Sequence, residues 1–194
     1  MTSYLVEPDD ATPLTADERQ GLLPSHVTVR SELNELEQQN ILEAESWLLV
    51  RKRDPVSEAF GKTLHKRMFG KVWRWAGHYR KSEKNLGVEL WQVPARLQEV
   101  FDNVRYWIEH QTFPADEISV RFHHGLVFIH PFPNGNGRWS RLMADVLVMR
   151  LGQPRFTWGR SSLQTADETR RVYISTLKAA DNHDFAALIT FARS

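Results

Sequence analysis

The chain has no cysteine in its 194 residues, which excludes a disulfide framework, a thiolate metal site and a cysteine nucleophile. It also has no surplus of charge. Lysine and arginine number 25 against 24 aspartate and glutamate, a formal net charge of +1, so no broad basic field draws the chain to a phosphate backbone. Direct nucleic-acid binding is not expected. No apolar run reaches the roughly 18 residues that suggest a membrane span, and "MTSYLVEPDDATPLTADERQ" lacks the basic start and apolar core of a secretory signal. The expected location is the cytoplasm, with no membrane partner. There is no internal repeat and no low-complexity tract. A His-Glu-x-x-His metal motif is absent, and the adjacent His123 and His124 point in different directions on a helix, as core or surface residues do.

What is present suits one soluble globular domain: 41% hydrophobic and 25% charged residues, with length enough for a sizeable core. Residues 1–29 read as an N-terminal arm with a short helix, opened by the capping box of Thr15 and Glu18 and ended by Gly21. From about residue 31 to 50, Leu33, Leu36, Ile41, Ala44 and Leu48 mark a helix. Pro55 opens the next, with Phe60, Leu64 and Met68 on one face. After Pro94, Leu97, Phe101, Val104 and Ile108 mark another; Ile118, Phe122, Leu126 and Ile129 mark the one after it. Trp139, Leu142, Met143, Val146 and Leu147 carry the next, stopped by Gly152 and Pro154. Thr165 with Glu168 and Asp184 open the last two. Residues 80–93 lose helical periodicity, and the turn residues Asn85 to Gly87 suggest a small β-hairpin. The expected fold is all-α with one hairpin.

The chemistry concentrates in "HPFPNGNGRWSR", residues 130–141. Gly135 and Gly137 admit backbone angles closed to other residues, so the loop can turn several N–H groups toward one point, an anion nest. The helix that follows adds its partial positive charge, and Arg138 and Arg141, three apart, share one face. A polyphosphate is the natural ligand. His130 stands beside the nest, with an ordinary pKa of about 6.5 that suits it to accept a hydroxyl proton. Taken singly, a Gly-Asn turn, a core histidine and two surface arginines are all commonplace; taken in order within twelve residues they describe phosphorus-group transfer to a hydroxyl. The Walker phosphate loop is excluded, because Arg138 and Trp139 stand where it needs lysine and then serine or threonine.

This stretch resembles the signature of the Fic family, H-x-F-x-[D/E]-G-N-G-R-x-x-R, and departs from it at Asn134. "LHKRMFGKVWRWAGHYR" upstream and "RRVYISTLKAADNHDFAALITF" downstream are similar to the flanking Fic helices, so the resemblance spans about residues 30–191 and makes 30–194 the Fic domain. The N-terminal stretch "TPLTADERQGLLPSHVTVRSELNELEQQNI", residues 12–41, also resembles the subgroup called mobile mystery protein B, carried on mobile elements beside a helix-turn-helix partner. The resemblance implies a helical fold with a hairpin flap, and transfer of AMP from ATP to a hydroxyl of a target protein. It makes His130 the base and Phe132 the loop's anchor. Gly135, Asn136 and Gly137 would hold phosphates, Arg138 the phosphate chain and Arg141 the terminal phosphate. The target would dock on the flap at residues 80–93 by strand addition. Glycine at 137 matches the AMP-transferring members rather than the Doc kinases, which carry lysine there.

Asn134 stands where the family places an acidic magnesium ligand, and an amide gives the Mg2+ one charge less. Weak activity, a different donor or metal, and a domain retained for binding or regulation all stay open. The family's inhibitory pattern, [S/T]-x-x-x-E-[G/N], is met in part by Ser31 and Glu35, with Leu36 in the last place. Trp73, Trp75 and Tyr173 read as core aromatics.

Overall fold

A computed structural model describes residues 13–50, 53–160 and 165–194; residues 1–12 of the expected arm lie outside the described residues. The helices are α1 (Ala16–Arg19), α2 (Arg30–Leu49), α3 (Glu58–Phe69), α4 (Val93–Glu109), α5 (Ala115–Ile129), α6 (Asn136–Arg150), α7 (Ala166–Asp181) and α8 (Ala186–Arg193), with a 3-10 turn at Leu90–Gln92. The all-α expectation holds. Both expected capping boxes form, Thr15 with Glu18 and Thr165 with Glu168. Pro55 lies before α3 rather than in its first turn, and Ser57 caps that helix by accepting the Phe60 N–H.

Helices α5 and α6 pack together at the centre, with α4 on α5, α3 on α2 and on α6, and α8 on α7. The main core joins Leu64, Met68, Phe69, Phe101, Phe122, Leu126, Phe132, Trp139 and Met143. Each large apolar side chain withdrawn from water there stabilises the fold by about 1.5–3 kcal/mol. A second core, around Trp158, Leu188 and Phe191, packs α7 and α8 onto the other side of α5 and α6. The loop between α5 and α6 is therefore held by the middle of the fold.

Two expectations meet a different structure. Among the described residues no hairpin forms at 80–93: the segment runs as bends into the 3-10 turn. Its backbone is satisfied elsewhere, since the Val88 N–H reaches the Ile129 carbonyl and the Ser82 and Val88 carbonyls accept from Arg80. A strand partner inside the segment is not needed. The stretch before α2 also packs more closely than a peripheral arm: Leu14 and Val27 are buried in the main core, and Leu22 forms a bridge with Trp73. Trp73 and Trp75 stack with ring centres 5.0 Å apart, and Trp73 is fully packed into the core.

Candidate active site

The loop 130–135 is built from the inside out. Phe132 is completely buried, stacked on His65 at 3.7 Å and edge-on to Trp139 at 4.9 Å. The Asn136 side chain braces the turn from both atoms: Oδ1 accepts the Phe132 N–H and Nδ2 donates to the Phe132 carbonyl, each at 2.9 Å. His65 secures the far side. Its Nδ1 accepts the Gly77 N–H, so the proton sits on Nε2, which donates to the Asn134 carbonyl at 3.1 Å. Burial pushes the His65 pKa down to about 3, which keeps this tautomer neutral. Gly135 has φ of 80° and lies against Phe69, where an added Cβ would come within 2.7 Å of the ring. Both facts demand glycine.

His130 ends α5 in the left-handed region, φ 55° and ψ 57°, a conformation that costs a residue with a Cβ about 1–2 kcal/mol. The backbone holds it there: Arg80 donates from Nε to the His130 carbonyl at 2.9 Å and from its own N–H to the Pro131 carbonyl at 2.9 Å. The ring's Nδ1 bonds the Val127 carbonyl at 3.2 Å. A carbonyl can only accept, so Nδ1 carries the hydrogen and Nε2 the basic lone pair. Burial, with lesser contributions from Arg80 and Lys84, pushes the His130 pKa down to about 4, against the opposing pull of the Val127 bond. The imidazole is a base already deprotonated at neutral pH.

Helix α6 begins at Asn136 with no side chain capping it, so its first N–H groups face outward with the helix dipole behind them. They line a cavity of about 1040 Å³ together with His130, Asn134, Gly135, Gly137, Arg138, Arg141 and Tyr173. A Cβ at Gly137 would meet only the Tyr173 hydroxyl, 3.7 Å away, so the glycine leaves room for a ligand against the helix start. Arg138 lies over the Phe69 ring and pairs with Glu37 at 2.7 Å; Arg141 donates to the Gly137 carbonyl and lies over Tyr173. Residues Asn85, Leu86 and Gly87 of the 80–93 segment line the same cavity. That segment is where the flap is expected.

The match to known sequences follows this geometry. Residues 55–148 match the Fic/DOC family. The chain carries a Fic/DOC domain. Curated relatives include "Protein adenylyltransferase Fic" of Aedes aegypti, 28% identical over 74% of this chain and 28% of the relative. The protein of the same name from Drosophila virilis is 30% identical over 66% and 26%. The chain spans about a quarter of the length of these relatives. Among solved structures, Fic-1 from C. elegans superposes with a TM-score of 0.68 at 24% identity, covering 91% of this chain and 51% of that one. The BepC protein of Bartonella tribocorum, solved with bound AMPPNP, gives 0.70 at 16% identity, covering 92% and 97%. These likenesses show the fold.

Within the Fic domain, His130, Gly135, Asn136, Gly137, Arg138 and Arg141 do line one cavity. The Asn136 amide, however, is committed to Phe132 on both atoms and is buried. What Asn136 has left to offer a ligand is its backbone N–H. Asn134 does not form the metal site that an acidic residue would give. Its Oδ1 is an uncharged oxygen already accepting the Gly135 N–H at 2.6 Å, and no His, Cys, Asp and Glu cluster of metal-binding size exists among the described residues. A magnesium there would have to be held mainly by substrate phosphates, with this neutral oxygen as the protein's share.

Ser31 and Glu35 are corrected by the helix geometry. Both are exposed and neither lines the cavity. At 100° per residue, Glu35 stands about 200° from Leu33 and Glu37, the inward-facing residues on either side of it. The acid that α2 brings to the motif is Glu37, and it meets Arg138 rather than Arg141. Glu37 is buried and also accepts the Trp73 indole N–H at 2.6 Å. Residues Arg30 and Asn34, four apart, are the α2 side chains that line the cavity.

Sequence reading missed Arg80, Glu37 and His65, which act from far along the chain on the motif. Tyr173 belongs to the cavity wall, its hydroxyl 3.2 Å from His123 Nε2. His123 itself is buried beside Trp158, as expected of a core residue.

The depressed His130 pKa has a measurable consequence. An imidazole of pKa about 6.5 would be only about 3% basic at pH 5, whereas one of pKa about 4 is about 90% basic there. The pH profile of kcat/KM, on folded enzyme, is expected to stay within about twofold between pH 5.5 and 8; a rise of tenfold across that range would contradict the burial effect.

Proposed function

We propose that this Fic domain transfers AMP from ATP to a hydroxyl side chain of a protein. The observation that carries the reading is the shared cavity: His130, the uncapped start of α6, Arg138 and Arg141 all line it. The triphosphate lies across the α6 N-terminus, with its outer phosphates toward the arginines. A hydroxyl entering beside the flap attacks the α-phosphorus while His130 Nε2 accepts its proton. The new O–P bond forms as the bond to the β-phosphate oxygen breaks, and pyrophosphate leaves with its charge held by the arginines and the backbone N–H groups. No step requires a protein-held metal. The names of the curated relatives and the nucleotide bound to BepC support the same substrate. The target would dock on the flap.

ATP labelled on the α- or the γ-phosphate separates the alternatives. Transfer of α-label alone supports adenylylation, and γ-label alone supports a kinase on the same scaffold. If neither label reaches protein, the enzyme reading fails.

Asn134 favours a second reading, a weakly active Fic-like module that binds or regulates a partner. The two readings diverge in one variant. Asn134→Asp restores a negative oxygen beside the nest, and turnover in magnesium is expected to rise about tenfold or more, the equivalent of roughly 1.4 kcal/mol of transition-state charge stabilisation. Unchanged or lower turnover would mean that the missing carboxylate is not what limits the site.

A further inference from the structure

Arg80 belongs to no part of the motif, yet its side chain is wholly withdrawn from solvent and its donors reach three separate backbone carbonyls. Nε donates to His130, at the end of α5. One terminal nitrogen donates to Ser82, near the start of the flap, and to the Glu83 carboxylate at 3.3 Å. The other donates to Val88, just past the cavity-lining residues 85–87 of the flap. Four acceptors nearly exhaust the five N–H groups of a guanidinium. Its planar fork fixes the directions of those bonds.

The flap also touches the base directly. Gly87 has φ of 96°, and a Cβ there would come within 2.5 Å of His130 Cβ and 2.8 Å of the Ile129 carbonyl. The Val88 N–H meets that same carbonyl. On its outer side the flap is fastened separately: Ser82 Oγ and the Lys84 ammonium both bond Glu18 of α1.

We propose that Arg80 is the positioning residue that couples the flap to the base, its guanidinium joining Ser82 and Val88 of the flap to the His130 carbonyl so that a target segment seated on the flap finds Nε2 already aimed. This rests on the transfer reading above. Arg80 touches neither nucleotide nor hydroxyl. It acts by holding His130 in its left-handed conformation and the flap at a fixed distance from it. An alignment error of about 1 Å between base and hydroxyl costs on the order of 100-fold in rate. Nucleotide binding, on the arginine side of the cavity, does not depend on that alignment.

The test compares wild type with Arg80→Gln and Arg80→Lys by two independent readouts. The first is hydrogen exchange of peptides covering 82–88 and 127–131. The second is transfer of α-labelled ATP onto the chain itself, as a maximal rate and an ATP concentration for half-maximal rate. In Arg80→Gln, exchange is expected to rise in both peptides together. The maximal rate is expected to fall about 100-fold, with the half-maximal ATP concentration changed less than about threefold. Arg80→Lys, which keeps the charge and some donors, is expected to recover part of the rate; if the glutamine variant does not fold, the lysine variant carries the same comparison. Faster exchange at 82–88 alone, with 127–131 and the rate as in wild type, would show that flap and base are independent and overturn the proposal. If wild type transfers no label, the transfer reading has failed, and the exchange of the two peptides still decides whether Arg80 couples them.

Discussion

His130→Ala is expected to lower label transfer by roughly 10²–10⁴-fold, the usual worth of a positioned general base, while ATP still binds. The separation follows from where His130 sits. It ends α5, and the groups proposed to hold the phosphates belong to α6, whose Arg138 and Arg141 are anchored independently by Glu37 and by the Gly137 carbonyl. Because the position is left-handed, His130→Asn is the sharper variant: asparagine tolerates that backbone better than alanine and supplies no base near neutral pH. Transfer measured beside ATP binding by calorimetry checks both. Loss of binding together with transfer would show that His130 shapes the nest, and transfer at the wild-type rate would remove it as the base.

Phe132→Ala is expected to cost about 3–5 kcal/mol of stability, the range for deleting a large aromatic from a core. Phe132 is packed between His65, Trp139 and Tyr79, and few of these rings can close the gap. Asn136 holds the Phe132 backbone, Asn136 opens α6, and His65 supports Asn134 from below. Losing the side chain therefore loosens the whole nest. Urea unfolding at an unchanged m-value measures the first effect, and a weaker ATP affinity at a temperature where the variant is folded measures the second. Phe132→Leu, which keeps most of the volume, is expected to cost less than half as much. A loss below about 1 kcal/mol in the alanine variant would mean that the loop is held by its hydrogen bonds alone.

The 130–141 loop was legible because its chemistry is contiguous. His130, the glycines and the two arginines lie within twelve residues, and each residue type announces its use. The helices were legible for a related reason, since an apolar face repeats every three to four residues wherever it packs. The flap was misread: Asn85 to Gly87 suggests a hairpin turn, but the hydrogen bonds that would have paired two strands go to Arg80 and Ile129. Ser31 and Glu35 matched a spacing, and spacing alone does not say which face of α2 turns inward.

By itself the sequence determined the helical fold, the left-handed glycine at 135 and the order of histidine, glycine loop and arginines. Local backbone preference and side-chain chemistry act over a few residues and need no distant partner. Only the tertiary structure decided the rest: that burial lowers the His130 pKa, that Arg138 is met by Glu37 from 101 residues away, and that Arg80 reaches His130 across 50. Burial, and the charges and carbonyls that surround a buried group, are set by chain segments brought together in space.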